Sequence, residues 1–260
     1  MTATTEASSF AQRASIAIYW IPGCSSCAKV KEFVQDHGLE FESFNVLEHP
    51  AAMEEVTAAG LQGVPAIRHR DKFAYAQSLD DLAEFLGIVN RHTKLPLDVL
   101  LRRWDDILEK AKFIIASFDE ETLQRRVMPQ RERSIRQLGV HTFQVAESFL
   151  RQVEDDTIDA RAIYLDRRDD ISTRDDVILY AESIHAQYRE AFLSAASKPL
   201  VVSLNTHYGQ QPMAQVLERG VWHTAQHARQ LDFVAAGIGF ELQIDEELYS
   251  DLPMPRRLWS

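Results

Sequence analysis

The sequence predicts two domains of different class, an α/β domain followed by an all-α four-helix bundle. Three observations predict it. Strand and helix signals alternate as far as residue 90. Apolar residues then recur at helical spacing to the end of the chain. The only two cysteines among 260 residues, Cys24 and Cys27, fall at the first strand-to-helix junction.

Residues 1–13 are polar and lack the basic region and apolar stretch of a secretory signal, so they read as a disordered tail. Ser15–Ile21 is an apolar run of strand length. Ala28–His37 has helical spacing, with Gly38 as its stop. Phe41–Val46 alternates like a strand, and Ala51–Ala59 is a helix stopped by Gly60. Val64–Arg68 and Lys72–Ala76 are short strands around a turn. Ser78, with Asp81 three residues on, caps the helix Leu79–Leu86, and Gly87 closes it. The first domain therefore spans residues 14–90 in the order βαβαββα.

Residues 91–95 form a polar link that ends at Pro96. After it the period is helical throughout. Leu97, Leu100, Trp104, Ile107, Ala111 and Ile114 form one seam. Ile135, Leu138, Thr142, Val145 and Phe149 form a second. Val177, Ala181, Ile184, Tyr188 and Phe192 form a third, and Val216, Gly220, His223, His227 and Val234 a fourth. Four amphipathic helices of this spacing predict a four-helix bundle over residues 96–260. Glu154–Thr173 is long and charged and reads as a mobile loop beside a site.

Composition narrows the function. The chain is 45% hydrophobic with a net charge of -11, and neither half has the basic excess of a nucleic-acid binder. No apolar run approaches the roughly 18–20 residues that cross a membrane. A cytoplasmic location is expected, where a cysteine pair is mostly reduced. Phosphate-loop, dinucleotide and serine-elbow motifs are absent.

Cys24 and Cys27 are too close in sequence to brace the chain. At a helix N-terminus, backbone N–H groups and the helix dipole stabilise a thiolate, which suits disulfide exchange. The alternatives are two half-buried small residues, or half of a zinc site that lacks a second cysteine pair. Cys24, nearer the helix terminus and solvent, is the expected nucleophile, and Cys27 the resolving thiol.

Taken with this element order, Cys24-Ser25-Ser26-Cys27, Val64-Pro65 and Ser78-Leu79-Asp80-Asp81 make residues 14–90 resemble a glutaredoxin-like thioredoxin fold. The resemblance implies that Pro65 is a cis-proline facing the cysteines. It also implies that Val64 offers backbone hydrogen bonds to a bound thiol, and that Ser78 and Asp80 lie at the end that holds a glutathione glutamyl group. Trp20, Ile21 and Pro22 stand where the family carries a lysine, and Ser25-Ser26 replaces the usual Pro-Tyr.

His223 and His227, four apart, share one helix face and continue the inward line of Val216 and Gly220. His141 lies one turn from Leu138 and Val145 on the second helix. Buried histidines are costly unless their nitrogens are used, and a divalent metal uses them. The alternative is three separately hydrogen-bonded histidines. Leu138-Gly139-Val140-His141, with Trp222-His223-Thr224-Ala225-Gln226-His227-Ala228-Arg229-Gln230-Leu231, resembles the DinB-like family of metal-binding four-helix bundles over residues 96–260. The resemblance implies one divalent ion (zinc, nickel or iron(II)) on His141, His223 and His227, and a low-molecular-weight thiol as co-substrate.

The remaining histidines carry less weight: a place beside the ligands for His185, or at the mouth of a site for His207, is the lesser reading against an ordinary histidine, and Glu147 reads as surface sooner than as a neighbour of His141. Arg125, Arg126, Arg131, Arg133 and Arg136 are either a solvated basic face or a docking patch for the carboxylates of a peptide thiol.

The expected function is thiol-dependent catalysis. A low-molecular-weight thiol such as glutathione is transferred to or from an electrophilic small molecule with metal assistance, coupled to disulfide exchange at Cys24–Cys27. Two alternatives remain: a glutaredoxin-like disulfide reductase with a structural helical module, and a metal-binding redox sensor without turnover. The expected partners are the thiol and the electrophile, without nucleic acid or membrane, with a second copy in a homodimer left open.

Overall fold

Five consecutive apolar residues, Ile-Ala-Ile-Tyr-Trp, form strand β1 (Ile16–Trp20), which is buried from Ile16 to Tyr19 and lies inside its sheet. The computed structural model describes residues 15–194, 202–240 and 246–259. The tail expected over residues 1–13 lies outside them. Among the described residues the chain divides into two compact units: residues 15–21 with Val30–Val89, and Pro22–Lys29 with the residues from Asn90 on.

The first unit continues with α1 (Ser25–Asp36) from Val30 on, the start of the helix grouping with the second unit, then β2 (Glu42–Asn45), α2 (Pro50–Ala58), β3 (Ala66–His69), β4 (Lys72–Tyr75) and α3 (Leu79–Leu86). Its sheet has the order β2-β1-β3-β4. β1 runs parallel to β2 and antiparallel to β3. A parallel neighbour requires a crossover, which α1 supplies. α1 begins at Ser25 rather than at Ala28, because the N–H of Ala28 already closes a helical turn on the carbonyl of Cys24 at 3.1 Å.

Alternation along β1 sends Ile16 and Ile18 to a cluster with Val30, Val34 and Leu82, and Ala17 and Tyr19 to one with Ala52 and Val56. The Asp81 N–H donates to Ser78 Oγ at 3.2 Å, and Gly87 closes α3 at φ 70°, where a side chain would be strained.

The second unit is mostly helical. It comprises α4 (Leu97–Ser117), α5 (Glu120–Gln124), the hairpin β5 (Arg126–Met128) and β6 (Arg131–Ser134), α6 (Ile135–Glu154), α7 (Ala160–Leu165), α8 (Arg174–Phe192), the hairpin β7 (Ser203–Thr206) and β8 (Gly209–Pro212), α9 (Met213–Gly237) and α10 (Glu246–Tyr249). α4 and α6 each pack against both α8 and α9.

The apolar seams meet in one core that includes Trp104, Ile107, Leu138, Phe149, Ala181 and Tyr188. Only Leu97, at the first residue of α4, departs from the first seam, at 37% exposed. Both α6 and α8 open on capping boxes, Ser134 with Gln137 and Thr173 with Asp176. α4 and α9 approach closely at Gly220, where an added methyl would run into the Trp104 ring.

The segment expected as a mobile charged loop, Glu154–Thr173, instead contains α7. Gln144 pins it by donating to the carbonyls of Ile163 and Asp166 at 2.9 and 2.8 Å. Among the described residues, no helix is long and apolar enough to cross a membrane.

Candidate functional site

The cysteine loop leaves the C-terminal end of β1. Cys24 and Cys27 are joined as a disulfide, with Cα atoms 5.2 Å apart. Cys24 is half-buried and Cys27 fully buried. The Cys27 N–H donates to Cys24 Sγ at 3.2 Å. A donor aimed at that sulfur favours its anionic form, as does the N-terminus of α1.

The Val64–Pro65 bond is cis. Tyr19 stands opposite Ala66 in the antiparallel pairing, so Val64 and Pro65 lie at the end of β1 that carries the cysteine loop. Tyr75 is also opposite Ala66, which brings Ser78 and Asp80, in the cap and first turn of α3, towards the same end of the sheet.

In the second unit, α6 and α9 bring His141, His223 and His227 together. One ring nitrogen of each lies within 4.8 Å of the others. His141 and His227 are buried and His223 half-buried. Each ring has a buried nitrogen without a hydrogen-bond partner: Nδ1 of His141, Nδ1 of His223 and Nε2 of His227. Unsatisfied buried nitrogens are costly, and three imidazoles whose ring nitrogens come this close are a donor set for one cation. Three imidazoles suit a divalent zinc, nickel or iron ion, so the residues present fit the group.

The fixed partner of the set is Gln230, three residues beyond His227. Its Nε2 donates to the Leu258 carbonyl at 2.9 Å, which turns Oε1 towards His227. His227 Nδ1 then donates to Oε1 at 2.8 Å, and the Nε2 lone pair is left free.

The rings are held neutral. Burial, followed by the positive charge of Arg133, pushes His141 well below its ordinary value. Burial, followed by its neighbour His227, does the same to His223. Burial and then Arg133 push His227 down to about 3, against the opposing Gln230 hydrogen bond. Neutral imidazole is the form that ligates metal.

A cleft of about 180 Å³ reaches His141, between the β6–α6 junction and α7. Tyr164 of α7 lines it and also contacts His207 Nδ1 through its hydroxyl at 3.1 Å; His207 itself lines a neighbouring cavity with Tyr164 and Tyr208. Tyr164, Gln144 and Gln230 were not singled out from the sequence. Only Gln230, one turn from His227 on the same face, carried a readable signal.

The other candidates are placed as follows. His185 is turned away from the ligands, with Nε2 2.6 Å from Asp105 on α4. Glu147 accepts from the Tyr180 hydroxyl at 2.5 Å. The five arginines do not form one patch. Arg125 pairs with Glu121, Arg126 with Glu132, and buried Arg136 donates to the Ile171 carbonyl. Only Arg131 and Arg133 line the cleft.

Comparison with known proteins reaches the first unit most clearly. Residues 16–74 match the glutaredoxin family. A glutaredoxin-like protein, NrdH, of Lactococcus lactis subsp. lactis is 30% identical over 61 residues, which is 24% of this chain and 83% of that protein. YusI of Bacillus subtilis is 36% identical over 44 residues, and the match spans 17% of this chain and 37% of YusI. The global transcriptional regulator Spx of Enterococcus faecalis is 27% identical over 138 residues, 50% of this chain and 96% of its own.

Proposed function

The chain belongs to the glutaredoxin family over residues 16–74, and from that premise we propose that it is a thiol-dependent enzyme with two working parts. The first exchanges disulfides at Cys24 and Cys27. The second is a DinB-like four-helix bundle that holds one divalent cation on His141, His223 and His227. Together they move a low-molecular-weight thiol such as glutathione to or from an electrophilic small molecule.

Two observations carry the second part: one ring nitrogen of each histidine lies within 4.8 Å of the others, and each ring has a buried nitrogen without a partner among the described residues. A divalent ion bound there supplies Lewis-acid stabilisation of a thiolate and positions it. Gln230 fixes the tautomer of His227, and burial keeps all three rings unprotonated.

At the other part, the Cys24 thiolate attacks one sulfur of a disulfide R–S–S–R′. The S–S bond breaks and R′S⁻ leaves and takes a proton. Cys27, deprotonated to its thiolate, attacks Cys24 Sγ and expels RS⁻, which also takes a proton. The substrate is reduced by two electrons and the protein becomes the Cys24–Cys27 disulfide. Two equivalents of a low-molecular-weight thiol restore the dithiol. Val64 and Pro65, with Ser78 and Asp80, are the positions that hold that thiol.

The test separates the parts. Reduction of hydroxyethyl disulfide by glutathione should survive chelation and be lost in Cys24→Ser. Transfer of glutathione to a small electrophile should be lost on chelation and in His227→Ala. Transfer that persists in metal-free protein would leave a disulfide reductase with a structural helical module.

A second reading rests on the Cys24–Cys27 pair alone. On that reading the protein senses redox state through Cys24–Cys27 without turnover. Metal affinity that changes with oxidation of the pair, in a protein with no transfer activity, would select it.

A further inference from the structure

β6 has the sequence Arg131-Glu132-Arg133-Ser134. Strand alternation sends Glu132 to one face and both arginines to the other. The exposed Glu132 carboxylate meets Arg126 at 3.5 Å. Arg131 and Arg133, both half-buried, line the cleft that reaches His141.

Arg133 has no hydrogen-bond or ion-pair partner among the described residues. Burial, with Arg131 beside it, pushes its pKa down to about 9. It is still a cation at neutral pH, and a half-buried guanidinium without a protein partner is open to an anion from the cleft. The carboxylates around the cleft do not serve it. Glu132 is engaged as above, and Asp166 accepts the backbone N–H of Arg168 at 3.0 Å.

An anion in the cleft would supply the partner that Arg133 lacks. The cleft has room for one. Its volume of about 180 Å³ is many times the ~10–15 Å³ that one water requires.

We propose that the cleft beside His141 is an anion subsite in which Arg133, flanked by Arg131, binds the carboxylate of a small-molecule ligand of the histidine site. Guanidinium groups match carboxylates in a two-point geometry, which selects this class over a neutral ligand. The carboxylate belongs to the thiol co-substrate or to the electrophile. The proposal deepens the metal-site reading and rests on it for the thiol measurement, whereas carboxylate binding is measured without metal.

The full-length chain, stripped of metal, is titrated with succinate by calorimetry. Succinate should bind, and Arg133→Gln should weaken binding about tenfold or more, since charge-assisted hydrogen bonds are lost. Arg133→Lys, which keeps the charge, should recover part of the loss. The chain loaded with cobalt(II) is then titrated with 3-mercaptopropionate and 2-mercaptoethanol, read by the thiolate-to-cobalt absorption. The carboxylate-bearing thiol should bind about tenfold tighter, and the advantage should vanish in Arg133→Gln.

Arg133-dependent succinate binding without a thiol preference assigns the carboxylate to the electrophile. A thiol preference without succinate binding assigns it to the thiol. Cobalt uptake with equal thiol affinities and no succinate binding overturns the subsite and leaves the metal reading intact. Succinate binding that depends on Arg133, in a chain that takes up no cobalt, keeps the subsite and overturns the metal reading.

Discussion

Gln230 Oε1 accepts a hydrogen bond from His227 Nδ1 at 2.8 Å, and this one contact decides which nitrogen of His227 is free. The glutamine cannot turn round, because its Nε2 is committed to the Leu258 carbonyl. A carbonyl only accepts, so the orientation of the amide follows from the backbone, and the tautomer of the imidazole follows from the amide.

Gln230→Leu should therefore lower metal affinity about 10- to 100-fold, the usual effect of removing a group that orients a ligand. Competition with a chromophoric chelator measures it. Gln230→Glu should retain most of the affinity, because a carboxylate accepts the same Nδ1 proton. Equal affinities in all three proteins would mean that His227 is not a ligand.

Gly220→Ala should destabilise the helical unit. Helix propensity alone favours alanine by about 1 kcal/mol. Against that, the new methyl runs into the ring of Trp104, which is fully buried and fixed by its Nε1–H to Thr224 Oγ1 at 3.0 Å. Overpacking of this kind costs ~1–3 kcal/mol and wins. Denaturant unfolding should show a lower midpoint at an unchanged slope.

The two cysteines should differ. Cys24→Ser should abolish disulfide exchange, because the half-buried nucleophile is gone. Cys27→Ser should still form a mixed disulfide on Cys24, visible by mass spectrometry as an adduct that persists without added reductant.

Stability of the metal-free protein should depend on pH. Burial holds all three histidines below the ordinary 6.5 in the folded state. The unfolded chain therefore binds protons that the folded one refuses as pH falls below 6.5. The stabilising contribution is complete above that value and is lost as pH falls towards the folded values. Thermal unfolding in chelator should show a falling midpoint from about pH 7.5 to about pH 5, with a flatter dependence when all three histidines are alanine.

Much of this was legible in the chain. The strand and helix order of residues 16–86 follows from apolar runs punctuated by Gly38, Gly60 and Gly87, and Ser78 declared itself as a cap. The inward line Gly220, His223, His227 placed two of the three histidines before any coordinates, because a helix repeats every 3.6 residues.

The shortest elements were not legible. α5, α7 and α10 are under two turns long, too short to show a period. The strands β5 to β8 are three or four residues each and mostly polar, so they carry no apolar alternation. Two of them, β6 and α7, wall the cleft, and so the sequence named the histidines but not what stands over them. The arginines misled for a related reason. Five cations close in sequence are sorted by a hairpin and a helix onto different faces, and only Arg131 and Arg133 remain at the site.

The most direct test of the central claim is elemental analysis of the full-length protein purified without added metal or chelator, beside a His141→Ala, His223→Ala, His227→Ala variant. The account predicts about one divalent ion per chain in the wild type, absent from the variant. No metal in either protein, after reloading with zinc, nickel and iron(II), would contradict it.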